Sequence, residues 1–255
     1  MAGEIDNIVA FIKKQLHDAG FEKIIVGLSG GVDSAVTAAL SVRTVGRENV
    51  SALLLPYTHS SQDSLEDAAG LAQKLKIQYE IINISPVVDA YFDNYGKEAD
   101  SLRRGNLMAR VRMCVLYDFS AKYKALVAGT GNRSELLTGY CTQYGDSACA
   151  FEPLGHLYKT EVTALARALD IPAAIIKKPP TADLWLHQTD EDELGMSYAE
   201  LDEILHQLVD LEKSAAEIQN SGIEPGRIER VVNLMKNSEF KRHLPPIPSL
   251  YENLQ

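Results

Sequence analysis

Clustered positive charge is what this sequence most plainly lacks. It carries 25 Lys and Arg against 35 Asp and Glu, a formal net charge of −10 at pH 7. Phosphate backbones are held by grouped cations, so a general nucleic-acid-binding surface is excluded and any polyanionic ligand must be held by local features. Long apolar runs are missing too. No stretch of eighteen residues is apolar enough to span a bilayer, and Met1-Ala-Gly-Glu-Ile-Asp6 has neither the basic nor the apolar part of a signal peptide. A cytoplasmic protein without membrane partners is expected. Cysteine is scarce: Cys114, Cys141 and Cys149 are odd in number and have neither C-x-x-C nor zinc-finger spacing, so buried thiols are expected. With 255 residues, 45% of them hydrophobic, and no repeat or low-complexity tract, the chain is expected to bury its core as one domain over residues 1–255.

Hydrophobic periodicity divides the chain. Ile5, Ile8, Val9, Ile12 and Leu16 recur at helical spacing over residues 4–19, and Gly20 ends that helix. An apolar run from Ile24 to Leu28 reads as a first strand, and Ser34 to Leu40 as the helix that follows it. Val50 to Leu55, stopped by Pro56, is a second strand, and Ser64 to Leu75 a helix with Leu65, Ala68, Ala69, Ala72 and Leu75 facing inward. Ile77 to Ile84 gives a third strand, Val87 to Tyr95 and about Ala99 to Tyr123 two helices, and Ala125 to Thr130 a fourth strand. Thr160 to Leu169 is helical, an irregular acidic stretch runs from Lys177 to Gly195 as a lid or loop, and Leu201 to Val209 and Arg227 to Met235 close the chain as helices. Strands alternating with helices imply an α/β fold with a doubly wound parallel sheet. In the strand order 3-2-1-4-5 the first and fourth strands meet at the switch point, where such sheets bind ligands. Ser29 to Ser34 and Gly129 to Glu135 then face one crevice.

The chemistry concentrates at those two strand ends. Glycines at Ser29-Gly30-Gly31 let a backbone approach an anion, and the N-terminus of the following helix adds partial positive charge. A Walker A loop is excluded, because Gly31-Val32-Asp33-Ser34 has no Gly-Lys-[Ser/Thr] ending. A carboxylate where phosphates arrive would repel them unless a divalent cation lay between, so Asp33 reads as a Mg²⁺ ligand; a helix-capping Asp is the plainer alternative. Gly129-Thr130-Gly131-Asn132-Arg133-Ser134-Glu135 departs from a dinucleotide fingerprint at its third glycine. Glu135 instead offers a second hard oxygen ligand for the same ion, or else pairs locally with Arg133 or a helix start.

Ser-Gly-Gly-Val-Asp-Ser after a buried strand resembles the pyrophosphate loop of the N-type ATP pyrophosphatases, which adenylate a substrate with ATP. The block Gly129 to Asp146 resembles the NAD synthetases within that group. So do Gly105-Asn106 with Ala109-Arg110-Val-Arg-Met113, Lys159-Thr-Glu161, Lys178-Pro-Pro-Thr-Ala-Asp183, Asp190-Glu-Asp-Glu-Leu-Gly195 and Lys241-Arg242. The resemblance implies an adenine nucleotide alpha hydrolase-like fold and a two-step amidation. The nicotinate carboxylate of deamido-NAD attacks the α-phosphate of ATP, and ammonia then displaces AMP to give NAD. It further implies that Gly27, Leu28, Ser29, Gly30, Gly31, Val32, Asp33 and Ser34, with Thr130, Lys159 and Thr181, bind ATP. Asp33 and Lys159 are the catalytic groups, and Asp33 and Glu135 hold Mg²⁺. Arg110, Gln143 and Lys241 are assigned to deamido-NAD, while Arg112, two residues along the helix from Arg110, is assigned a structural or interfacial place. A homodimer is implied, with the segment from Ala99 to Tyr123 as a source of its interface.

Two positions depart from the ammonia-using bacterial pattern. Thr-Lys-Tyr-Gly-Asp becomes Thr142-Gln-Tyr-Gly-Asp146, and the acidic residue four positions later becomes Ala150. Both family positions contact the dinucleotide; Gln143 still donates a hydrogen bond and Ala150 cannot. Glutamine-using members carry an amidase domain before the synthetase domain, whereas about twenty residues precede the first strand here, so ammonia, taken directly or from a separate partner, is the expected nitrogen source. The competing readings are another adenylating enzyme of the fold, such as a GMP synthetase-type amidotransferase, and a nucleotide-binding protein without catalysis.

Overall fold

Alternation along each strand decides which side of the sheet a residue serves. The computed structural model describes residues 2–58, 60–185, 188–220 and 222–248. Helix α1 (Ala2–Ala19) leads to β1 (Lys23–Gly27), α2 (Val32–Val45), β2 (Val50–Leu54), α3 (Gln62–Leu75), β3 (Gln78–Ile81), α4 (Ser85–Tyr95), α5 (Ser101–Tyr123) and β4 (Ala125–Ala128). All pairings are parallel and the order is β3-β2-β1-β4, with Ile24 opposite Val50 on one side and Leu126 on the other. Ile24, Val26, Val50, Ala52, Leu54 and Ala128 point to one face, where they meet Ile8, Ile12, Val36, Leu40 and Leu71 from α1, α2 and α3. Ile25, Leu53, Ala125 and Val127 point to the other, against Val88 and Phe92 of α4 and Met108 and Val111 of α5. A side chain such as Ile24 or Ile25, fully buried, contributes about 1.5–3 kcal/mol to that packing.

The expected fifth strand is absent among the described residues and survives only as a bridge. Ala128 pairs with Phe151 in parallel, Gly129 N donates to Phe151 O at 2.9 Å and Ala150 N to Val127 O at 2.9 Å. Pro153 has no N–H to extend the ladder, and the chain turns there, so pairing stops after one residue. The third strand is also shorter than Ile77–Ile84. Ile82 N and Ile84 N still reach Leu54 O and Pro56 O, but by then the backbone is turning into α4.

The remaining chain forms α6 (Arg133–Thr138), α7 (Lys159–Ala168), α8 (Ala173–Lys177), α9 (Asp190–Leu194), α10 (Tyr198–Leu205) with a π-helical turn at His206–Asp210, α11 (Ala215–Gln219) and α12 (Pro225–Asn237). The stretch from 177 to 195 is therefore not structureless throughout: α9 occupies its end, capped by Thr189. Leu186 and His187 of that stretch lie outside the described residues. Leu194, Met196, Leu201, Ile204, Leu205 and Val231 form a separate cluster that carries α9, α10 and α12 beside the strand ends. No helix among the described residues is long and apolar enough to cross a membrane.

Candidate active site at the strand ends

A cavity of about 580 Å³ opens beyond the carboxyl ends of β1, β2 and β4. Its first wall is the loop between β1 and α2. Gly27, Leu28, Ser29, Gly31, Val32, Asp33 and Ser34 line it, with Thr130, Glu135, Lys159, Thr181 and Lys241. Gly31 is the N-cap of α2 and offers no side-chain cap, so the first N–H groups of that helix stay available to an anion. The loop is braced by its own hydroxyls: Ser29 N donates to Ser34 Oγ at 3.3 Å, Gly31 N to Ser29 Oγ at 3.2 Å, and Ser34 Oγ to Gly31 O at 3.1 Å. Gly30 turns away from the cavity. Its φ is +83° and a Cβ there would lie 2.2 Å from Ser64 O, so this glycine is required by a backbone contact with α3.

Across the switch point the acidic residues meet a cation. Lys159 Nζ lies 2.5 Å from Asp33 Oδ2 and 3.4 Å from Glu135 Oε1, and the lysine is only 6% exposed. Lys159 is thus a buried ion-paired group and not a solvated surface charge. Burial pushes the Glu135 carboxyl above the usual carboxylate range, the Lys159 charge opposing and Asp33 adding to the rise. For Lys159 burial works against the charge, but Asp33 and Glu135 outweigh it and raise the ammonium's pKa. Asn132, wholly buried, ties the two acids together. Its Nδ2 donates to Asp33 Oδ1 at 2.9 Å, its Oδ1 accepts from Glu135 N at 3.1 Å, and its own N donates to Glu135 Oε2 at 3.2 Å, closing a capping box on α6.

This donor set suits Mg²⁺. Asp33 and Glu135 already share one positive charge, and both offer hard oxygens. No group of three or more His, Cys, Asp and Glu gathers for a metal among the described residues. The two carboxylates would thus leave coordination positions for phosphate oxygens and water, the arrangement Mg²⁺ favours at nucleotides.

Several neighbours of the site have no role assigned from the sequence, Asp190 among them although it lies in a recognised motif. Asp190, at the start of α9, accepts from Tyr140 OH at 3.1 Å and Tyr198 OH at 3.2 Å; burial raises its pKa while Lys159 pulls it back. Asp202 takes Ser134 Oγ at 2.5 Å, Thr160 N at 2.9 Å and Thr160 Oγ1 at 2.7 Å, and Lys159 N donates to Ser134 Oγ at 3.0 Å. That buried network fixes the starts of α6 and α7, and with them Glu135 and Lys159. Beneath the Gly129–Gly131 loop, Glu152 accepts from Gly131 N at 3.0 Å, and burial pushes its carboxyl up to about 7. A lone acid inside Ala148-Cys-Ala-Phe-Glu152 was the signal for it.

Arg110 and Arg112 of α5 face different hollows, and it is Arg112 rather than Arg110 that lines the main cavity. Arg112 lines the cavity, held by a 3.0 Å bond from its Nε to Leu55 O, and burial lowers its pKa against the pull of Asp183 and Asp146. Arg110 is exposed. It donates to Gln143 O at 3.3 Å and lines a separate groove of about 220 Å³ with Tyr91, Phe92, Arg103, Asn106 and Leu107. Gln143 does not line the main cavity, and Asn106 lines both hollows. Lys241 spans from its C-terminal turn to Gly139 O at 2.7 Å and Cys141 O at 2.8 Å.

A parallel sheet whose glycine-rich strand ends run into helix N-termini, with an acidic pair at the switch point, defines an α/β protein of the adenine nucleotide alpha hydrolase-like fold. The NAD synthase family model matches residues 4–245. An NH(3)-dependent NAD(+) synthetase of Fusobacterium nucleatum is 45% identical over 248 residues, 97% of this chain and 96% of the relative. The structure of NMN synthetase from Francisella tularensis superposes with a TM-score of 0.87 at 33% identity, covering 98% of both chains. That of the NH3-dependent NAD synthetase from Campylobacter jejuni gives 0.83 at 37%, covering 97% and 99%. The chain belongs to the NAD synthase family.

Proposed function

We propose that this protein amidates deamido-NAD to NAD with ammonia and ATP, releasing AMP and pyrophosphate. The observation that carries the reading is the meeting of Asp33, Glu135 and Lys159 across the switch point, at the mouth of a phosphate loop in a member of this family. A carboxylate is a poor acyl electrophile because oxide is a bad leaving group; AMP is a good one. In the first step a nicotinate oxygen forms a bond to the α-phosphorus and the bond to pyrophosphate breaks. In the second, ammonia attacks the acyl carbon, AMP leaves, and the nitrogen loses a proton.

The chain's own groups position these steps. The N–H groups of Val32, Asp33 and Ser34 receive phosphate oxygens, with Thr130 and Thr181 contacting ATP from the opposite wall. Asp33 and Glu135 hold Mg²⁺, which supplies charge neutralisation for the triphosphate. Lys159, once released from the two acids, donates to a phosphate on which charge develops. Deamido-NAD runs from the cavity past Asn106 toward Arg110 and Gln143, with Lys241 at the cavity wall. Arg110 lies in an outer groove beside exposed Tyr91, which supports a homodimer in which a second copy of the chain closes this end of the site.

A second reading has its own observation. Gln143 and Ala150 replace a lysine and an acid at the two positions where the family pattern contacts the dinucleotide, and a whole-chain structural neighbour is an NMN synthetase. Nicotinate mononucleotide is the substrate in that case. Pyrophosphate release with ATP, Mg²⁺ and ammonium, measured in parallel with deamido-NAD and with the mononucleotide, separates the two. A larger kcat/KM with deamido-NAD is expected; no turnover with it refutes the main reading. Asp33→Asn is expected to abolish pyrophosphate release with an unchanged circular dichroism spectrum, and normal activity in it would refute the metal role.

A further inference from the structure

Asn132 is buried and does not line the main cavity, yet both of its N–H donor groups, the backbone N–H and the side-chain amide, go to the two carboxylates of the site. Its side-chain oxygen takes the Glu135 N–H and its backbone N–H takes Glu135 Oε2, the two halves of a helix capping box. Such a box needs only an acceptor at this position, and Ser, Thr or Asp would serve as well as Asn. What they lack is the amide nitrogen. Asn132 Nδ2 donates at 2.9 Å to Asp33 Oδ1, a carboxylate on another helix 99 residues away in sequence. The other Asp33 oxygen faces Lys159, and Glu135 Oε1 faces the same ammonium. One oxygen of each acid is therefore occupied by Asn132, and the remaining oxygen of each is turned to a single point.

We propose that Asn132 is the positioning residue of the Mg²⁺ site: it presents one free oxygen each of Asp33 and Glu135 to a common cation, by joining the N-terminus of α2 to that of α6. The proposal takes the Mg²⁺ role of Asp33 and Glu135 as its starting point. Outer-sphere hydrogen bonds of this kind set ligand orientation, and their loss costs about 10–100-fold in metal affinity. Helix capping accounts for the oxygen of Asn132 but leaves the bond from its nitrogen to Asp33 without a purpose.

The test uses the intact protein and binding rather than turnover. ATP affinity is measured by calorimetry with Mg²⁺ and with a chelator, and the ratio of the two dissociation constants gives the Mg²⁺ dependence of nucleotide binding. Asn132→Ser keeps an N-cap acceptor but is too short to reach Asp33, and Asn132→Gly keeps the N-cap backbone with no side chain. Both are expected to lose about tenfold of that ratio while affinity in chelator stays within about twofold. Ser214→Ala, which removes the cap of α11 far from the site, reports general loosening and is expected to keep the wild-type ratio. A wild-type ratio in both Asn132 variants overturns the proposal, as does an equal loss in Ser214→Ala. A wild-type protein whose ATP affinity ignores Mg²⁺ overturns the metal reading itself, and the proposal with it.

Discussion

Glu152 gives the sharpest quantitative handle on this fold. Its carboxyl sits beneath the loop that carries Thr130, accepts one N–H from Gly131, and is flanked by Cys149 with no cation paired to it among the described residues. Burial lifts it from an ordinary 4.5 to about 7. A carboxyl that ionises higher in the native protein than in the unfolded chain destabilises the fold as pH rises. Its effect is absent below the unfolded value and complete above the folded one. Each pH unit between the two is worth about 1.4 kcal/mol, so the span from 4.5 to about 7 corresponds to about 3 kcal/mol, of which about 2–3 falls between pH 5 and pH 8. Glu152→Gln keeps an acceptor for Gly131 N and removes the ionisation. Urea unfolding of both proteins at pH 5, 6, 7 and 8 should show the variant gaining on the wild type by about 2–3 kcal/mol across that range. Parallel stability curves would refute the argument, because they would mean that Glu152 ionises in the folded protein as it does in water.

Two other substitutions test the walls of the cavity. Gly30→Ala places a Cβ 2.2 Å from Ser64 O at a φ of +83°; a loss of about 2 kcal/mol or more in the unfolding free energy is expected, and an unchanged melting temperature would contradict the contact. Lys241→Ala removes the donor to Gly139 O and Cys141 O and should lower stability by about 1–3 kcal/mol while raising the KM for deamido-NAD, both read from one preparation by urea titration and pyrophosphate release.

Much of the fold was open to reading because strand ends announce themselves. Apolar runs closed by glycine at Ser29-Gly30-Gly31 and at Gly129 located the two loops, and the periodicity of α1, α3 and α5 located the helices that cover the sheet. Asp33, Glu135 and Lys159 were nameable from their motifs, and they do come together. What resisted was any residue whose role depends on which helix face is inward. The two arginines of α5 were correctly placed on different faces, but Gly105, Ala109 and Leu116, four to seven residues apart, mark the inner stripe, and Arg112 lies on it while Arg110 does not. Glycine at 105 and alanine at 109 were the visible sign: small residues pass beneath Leu184 and beside Gly145 where larger ones would collide. The fifth strand failed for a local reason, since a proline two residues after Phe151 ends the ladder whatever the global alternation suggests.

The contact between Gly30 and Ser64 carries a consequence for how the site can change. The N-terminal part of α3, which abuts the phosphate loop, also receives the segment 178–183 over the cavity: Lys178 pairs with Asp67 and reaches Ser64 Oγ at 3.4 Å, and Asp183 accepts the Ser61 N–H at 3.0 Å. The start of one helix is thus the common footing of two opposite walls. A shift of the Ser64 backbone would move its carbonyl against the loop and its hydroxyl relative to Lys178 in the same stroke, so these walls are coupled, and variants that retune one must answer to the other.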